Sequence, residues 1–273
     1  MLARIRILVA AAFMAPLLAA AAPPTPAAVD ALMHNSGTWR QLADIEREFG
    51  QGLDQTAAGQ ATPDAQSAAA LRHAFAVAYS PDRLRPAVAR ELAVALSAED
   101  VETTLAWLAT DVGKRITRLE EDESASAHSQ ERRERAPEVV AGLAPDRLAR
   151  YQRLAQATHA SEVAATMLIN MSYGLARGIS LAMPGTPTQD PEAIRAALQA
   201  GRPRIVAMME VQQLAYSADT YESLSNEDLD NYIAFAESPV GRRYHAATMI
   251  ALDRAMTDGA TEAGRLLVTG RST

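Results

Sequence analysis

Apolar residues recur at intervals of three and four along most of this chain. Val101, Thr104, Leu105 and Leu108 mark one helical face, as do Leu229, Tyr232, Ile233 and Ala236 further on, and Leu84, Val88 and Leu92 or Ile205, Met208 and Met209 repeat the spacing elsewhere. No window alternates with the two-residue period of a strand over a useful length, so the pattern predicts an all-α fold. Ser80-Pro81, Ala144-Pro145, Asp190-Pro191, Arg202-Pro203 and Ser238-Pro239 each put proline in the first turn of an amphipathic run, where its missing N–H has no helical partner to lose. Val163 to Ile179, with Met167, Leu168, Met171 and Leu175, is apolar around much of its circumference and reads as a central helix. Thr62-Pro63 and Pro184-Gly185-Thr186-Pro187 read as loops.

The pattern repeats at long range. Leu96-Ser97-Ala98-Glu99-Asp100-Val101 matches Leu224-Ser225-Asn226-Glu227-Asp228-Leu229, and the match continues without a gap through Trp107 over Phe235 to Thr110-Asp111-Val112-Gly113-Lys114-Arg115 over Ser238-Pro239-Val240-Gly241-Arg242-Arg243, at a constant offset of 128. Leu42, Ile45, Phe49, Gly52 and Leu53 answer Leu168, Met171, Leu175, Gly178 and Ile179 at an offset of 126. Such agreement reads as duplication of a domain-sized unit. In each copy a serine (Ser97, Ser225) stands at a helix N-cap, an aspartate three residues on (Asp100, Asp228) can reach back to it, and apolar residues flank both. Ser238-Pro239 and its counterpart Thr110-Asp111 begin the next helix, and Gly113 and Gly241 follow where either a close helix contact or a general tolerance for glycine would account for them. The expected architecture is two similar multi-helix units, 22–143 and 144–273, packed with pseudo-two-fold symmetry because self-complementary faces bury each other most simply. Trp107 and Phe235 should then lie buried in equivalent environments. A ligand or partner site should lie where the units meet or on the long helices beyond Gly113 and Gly241. Residues 120–138 are strongly charged and are expected to extend the first unit's last helix toward the second unit.

The first residues predict export. Arg4 and Arg6 precede an apolar run from Ile7 to Leu18 and then four alanines, Ala19 to Ala22, the order of a cleaved signal peptide over 1–21. The run is short of the roughly twenty residues that cross a bilayer, and no later window approaches a span. Cleavage is expected near Ala20 or Ala21, leaving Pro23-Pro24-Thr25-Pro26 as a frayed tail. Loss of Arg4 and Arg6 takes the formal charge from −7 to −9, which argues against nucleic acid and anionic lipid as partners. The absence of cysteine removes disulfides, thiolate metal sites and amino-terminal lipidation. Lys114 is the sole lysine among many arginines, a bias we attribute to a GC-rich genome.

The signal sequence, the capped Leu-Ser-x-Glu-Asp helix, the aromatic near its end and the Ser/Thr-x-Val-Gly-Lys/Arg-Arg opening of the next helix resemble a family of exported Gram-negative proteins whose domain has no assigned function. Leu224 to Tyr244 carry the resemblance best; Leu96 to Ile116 follow, with Asp111 where the family favours proline. The resemblance implies a periplasmic helical domain and supplies no catalytic residues.

Chemistry-bearing motifs are sparse. His34, His73, His128, His159 and His245 form no i,i+4 pair, and His159-x-x-Glu162 reads as a helix-start feature, so no metal is expected. No nucleophile elbow or phosphate-cradling loop occurs, and no cofactor or catalytic residue is assigned. The acidic run Glu120 to Glu123 reads as a solvated helix face, and Trp107 and Phe235 as core. Three readings stay open: an interaction or scaffolding protein that meets another envelope protein; a carrier of an apolar molecule in a pocket lined by Met167, Met171, Met183, Met208 and Met209; and an enzyme whose carboxylates converge only in the fold.

Overall fold

A computed structural model describes residues 22–59, 65–124, 129–185 and 189–269. The signal-like segment 1–21 and the Thr62-Pro63 loop lie outside them. Among the described residues the regular structure is helical throughout, with no strand. The first half contains α1 (Pro26–Asn35), α2 (Thr38–Gly59), α3 (Ala65–Ala78), α4 (Pro81–Ala95), α5 (Ala98–Leu108) and α6 (Asp111–Ser124). After α7 (Ser129–Gly142) come α8 (Pro145–Thr158), α9 (Ala160–Ala182), α10 (Pro191–Ala200), α11 (Arg202–Thr220), α12 (Asn226–Glu237) and α13 (Pro239–Thr269).

The starts follow from the caps. Ser97 Oγ accepts from Asp100 N–H at 3.1 Å, and Asp100 Oδ2 accepts from Ser97 N–H at 3.2 Å, closing a reciprocal capping box. Ser225 Oγ accepts from Asp228 N–H at 3.0 Å, but the Asp228 carboxylate turns away to Arg115, 2.7 Å distant. The helices after them begin with Thr110 Oγ1 and Ser238 Oγ accepting from Gly113 and Gly241 N–H at 3.0 and 2.9 Å. Both glycines lie where the new helix turns against the end of the old one. A Cβ on Gly113 would sit 2.4 Å from Trp107 O, and one on Gly241 1.9 Å from Phe235 O. Close approach is therefore the reason for glycine at both places.

The helix partners run in parallel along the chain. In the first half α1 packs on α4 and α5, and α2 on α3 and α4; in the second α8 packs on α11 and α12, and α9 on α10 and α11. Across the halves α5 meets α13 and α12 meets α6. One contiguous core includes Leu32, Tyr79, Val88 and Val101 together with Tyr151, Leu229, Ile233 and Ala251. The most extensive helix pair is α9 with α13, whose axes approach closely because Gly178 and Gly264 each face the other helix's backbone: a Cβ would come 2.0 Å from Thr261 O and 2.2 Å from Leu175 O respectively. At the far end Tyr79 lays its ring on Gly259 and donates to Met256 O at 3.2 Å.

Two expectations need correction. The Pro23-Pro24-Thr25-Pro26 segment is not frayed. Thr25 Oγ1 caps α1, Pro24 is buried, and Ala22 O accepts from Ala98 N–H at 2.8 Å, so the proline run seats the chain against the start of α5. The acidic run is not a uniformly solvated face either. Glu121 pairs with Arg40 at 3.0 Å, and Glu120 turns inward; the run had looked like solvent-facing charge because its polar partners are far away in sequence.

Candidate functional site

The inward turn of Glu120 defines the centre of the molecule. On α6 the residues Ile116, Thr117 and Glu120 fall on one face at helical spacing, and beyond the α5–α6 turn at Gly113 the helix packs on α11 and α12. Tyr221, at the end of α11, and Tyr232, on α12, both donate to Glu120 Oε1, at 2.6 and 3.1 Å. Their rings meet edge to face at 5.9 Å, an arrangement that fixes both hydroxyls. As a residue Glu120 is partly exposed, yet burial is the largest influence on its carboxyl and holds its pKa above the usual carboxylate range, while the two hydroxyls oppose that rise. Burial, followed by the neighbouring Glu120, raises both phenols well above their ordinary value, so they serve here as donors.

Around this cluster lies a chamber of about 230 Å³, walled also by Trp107, Gln213, Tyr216, Tyr244, His245 and Thr248. It takes side chains from α5 and α6 in one half and from α11, α12 and α13 in the other. Trp107 and Phe235, both on its wall, stack on each other with ring centres 4.1 Å apart and planes 9° from parallel; Phe235 is buried and Trp107 partly so. Among the described residues that line the chamber, Glu120 is the one carboxylate, and neither lysine nor arginine is present.

A second cavity adjoins it. On α13 the residues Arg242, Ala246, Met249, Ile250 and Asp253 recur on one face, and with Val163 of α9 and Ala157 of α8 they line a groove of about 470 Å³ that is mostly apolar. Thr158, His245 and Met249 line both the groove and the chamber. His245 Nε2 is closed off from solvent and has no hydrogen-bond partner among the described residues. Burial lowers its pKa to about 4, so the ring is neutral at neutral pH. Deeper along the groove Asp253 accepts from Asn170 Nδ2 at 2.9 Å, and burial raises its pKa.

The residues singled out from the sequence match at an offset of 128 support the elements around this centre. Asp100 accepts from Arg243 at 2.6 Å, and Asp228 from Arg115 at 2.7 Å. The Arg243 hydrogen bonds, then the Ser97 cap, hold the Asp100 pKa below the usual range against its burial. Ser97, Ser225, Ser238 and Pro239 set helix starts, and Gly113 and Gly241 set the turns that aim α6 and α13. Glu120, Tyr221, His245 and Thr248 were not singled out. The one signal available was that Glu120 and Thr248 stand 128 apart, both on the chamber wall, but acid opposite threonine does not register as a repeat. The methionine pocket is also corrected: neither Met167, Met171, Met183, Met208 nor Met209 lines the chamber or the groove, where Met249 stands instead. Met167 and Met171 pack against the core, and Met208 is exposed. His159 joins α8 to α9 in the left-handed conformation, φ 51°, and lines the groove. Compared with known protein families, with curated proteins and with solved structures, the chain gives no match.

Proposed function

We propose that this protein is a carrier for a small amphiphilic molecule in the periplasm, its apolar body held in the groove between α8, α9 and α13. The observation that carries this reading is the groove itself: about 470 Å³, mostly apolar, and continuous along one face of α13 to His245. That volume falls within the range of about 300–1,000 Å³ that holds small organic ligands. Glu120 is the one carboxylate among the described residues that line the chamber, which supports a carrier over a hydrolase built on paired carboxylates. The groove likewise favours a small molecule over an envelope-protein partner as the principal ligand. No helix among the described residues is long and apolar enough to cross a membrane, and export rests on the sequence of residues 1–21.

The two halves are, in this reading, duplicated units related by a pseudo-two-fold axis through the Trp107–Phe235 stack. Support comes from reciprocity. Arg115 pairs with Asp228 and Arg243 with Asp100, so each arginine reaches the cap aspartate of the other half, and the two pairs interconvert by the offset of 128. The carrier site would then be a product of divergence at the junction, where one half kept Glu120 and the other acquired Thr248 and His245.

The test is titration of the mature chain with an uncharged, environment-sensitive apolar dye. One saturable site is expected, weakened about ten-fold or more by Ala246→Trp, which fills the groove, with the thermal midpoint little changed. An absence of saturable binding, or indifference to Ala246→Trp, would sink the carrier reading.

A further inference from the structure

Resting on the carrier reading, we propose that the groove takes a single-chain carboxylate, its head held by Arg242 and His159 and its hydrocarbon laid along α13 toward Asp253. Register places the two recognition residues together. Asn170 donates to Asp253, 83 residues on, and a Cβ on Gly174 or Gly178 would meet Thr257 O or Thr261 O at the same offset. That offset sets His159 level with Arg242, Val163 with Ala246 and Thr166 with Met249, and all six line the groove. From Arg242 to Asp253 the groove therefore runs about 16 Å along α13, at a helical rise of ~1.5 Å per residue. Its two ends differ. Among the described residues that line it, Arg242 is the one guanidinium and Asp253 the one carboxylate. Arg242 and His159 are exposed, whereas Asp253 is half-buried and already accepts from Asn170. A charged head at the first end keeps part of its water; one at the second must shed more of it. Arg242 is anchored by donating to Glu237 O, a bond that takes one of the five N–H donors of a guanidinium, whose planar fork matches a carboxylate. The carboxylate of Glu237, within electrostatic reach of Arg242, is paired with Arg153 at 2.6 Å. His159 is the one non-glycine residue of positive φ among the described residues, 51°, a conformation that glycine takes at less cost. An imidazole there donates an N–H in either neutral tautomer, which glycine cannot. One guanidinium and one imidazole match a single negative charge. Between the ends Ile250 lines the groove and is 49% exposed, apolar surface that a hydrocarbon chain covers. The net negative charge of the protein is spread over its surface and screened within about 8 Å at physiological salt, so the head responds to the local pair.

The experiment titrates the mature chain with three probes of one chain length, dodecanoate, dodecanol and dodecylamine, by calorimetry at pH 7 below their aggregation limits. Dodecanoate is expected to bind about ten-fold tighter than dodecanol, the size of one charge-assisted contact, with dodecylamine weakest. Arg242→Gln should bring dodecanoate to within about three-fold of dodecanol while the affinity for dodecanol holds. His159→Gly relieves the left-handed residue and so keeps the fold, yet it should weaken dodecanoate about three-fold and leave dodecanol unchanged. Ile250→Ala should weaken all three probes alike, because it touches only the hydrocarbon. The wild-type ranking stands even if Arg242→Gln folds poorly. Equal binding of the three probes, dodecylamine binding tightest, or a dodecanoate preference that survives both Arg242→Gln and His159→Gly overturns the carboxylate assignment and leaves the carrier reading intact. If none of the three binds, or if Ala246→Trp leaves all three unaffected, the carrier reading falls and the carboxylate assignment with it.

Discussion

The rings of Trp107 and Phe235 lie 4.1 Å apart and within 9° of parallel, each at the same place in its half of the chain. Tyr232 also stacks on Trp107, at 5.5 Å. On the duplication reading, a residue that touches its own counterpart marks the seam between the halves, and both rings line the chamber. The contact should therefore be energetically coupled. Phe235→Ala should destabilise by about 3–4 kcal/mol, the usual loss for a buried aromatic, and Trp107→Ala by less because it is partly exposed. The double variant should show a coupling of ~0.5–1.5 kcal/mol in urea denaturation. Strict additivity would mean that the stack is mere proximity.

The two reciprocal ion pairs should be unequal. Asp100 is 7% exposed and its partner Arg243 about half exposed, whereas Asp228 is 17% exposed. Removing Arg243 strands a buried carboxylate that also closes the Ser97 cap, a loss of ~1–2 kcal/mol after allowance for the solvent that reaches the guanidinium. Removing Arg115 should cost about 0.5 kcal/mol, within the range of surface pairs. Equal shifts in the urea midpoints of Arg243→Ala and Arg115→Ala would contradict this ordering.

Gly241 and Gly113 should both resist alanine, in that order. A Cβ at Gly241 would overlap Phe235 O at 1.9 Å and its carbonyl carbon at 2.7 Å, and one at Gly113 would meet Trp107 O at 2.4 Å. The obstacle is backbone in both cases, so a helix end must shift, and ~2 kcal/mol or more is expected for Gly241→Ala. On the carrier reading, affinity for the apolar dye should fall along with stability, since Gly241 opens the helix that lines the groove. A Gly241→Ala protein with an unchanged thermal midpoint would show that the turn is slack.

Local rules made much of the fold legible. Proline and serine signals located the starts of α4, α5, α8, α10, α12 and α13, because caps are written in four consecutive residues. The constant offset of 128 brought Ser97, Asp100, Trp107, Gly113 and Arg115 to attention with their counterparts, although it gave no hint that Arg115 would reach Asp228 in place of its own cap, Asp100. The chamber was not legible. Glu120 sat in a run that reads as solvated charge, and its partners Tyr221 and Tyr232 lie about a hundred residues away. Nothing in local spacing reports a hydrogen bond over that separation. The groove was not legible either: Met249 lines it, whereas Met167 and Met171 pack against the core.

In the folded chain burial lowers the His245 pKa from 6.5 to about 4. Between those values the unfolded chain binds more protons at this residue than the folded one, so stability rises with pH across the window. The contribution is whole above about 6.5 and is lost as the pH falls toward 4. Glu120 acts with the opposite sign. Its folded pKa is raised, so the folded chain holds the extra proton, and that contribution grows as the pH falls from the raised value toward the ordinary carboxylate range. Asp100, lowered chiefly by Arg243, loses its contribution only below the ordinary aspartate range, outside the histidine window. His245→Gln removes one of these influences and leaves the other two. Urea midpoints taken in steps from pH 7 to pH 4.5 should show the wild type losing ~2–3 kcal/mol relative to the variant, roughly two pH units at about 1.4 kcal/mol each. The difference should be concentrated below pH 6.5. Parallel profiles for the two proteins would mean that His245 takes up a proton in place, with water reaching its Nε2.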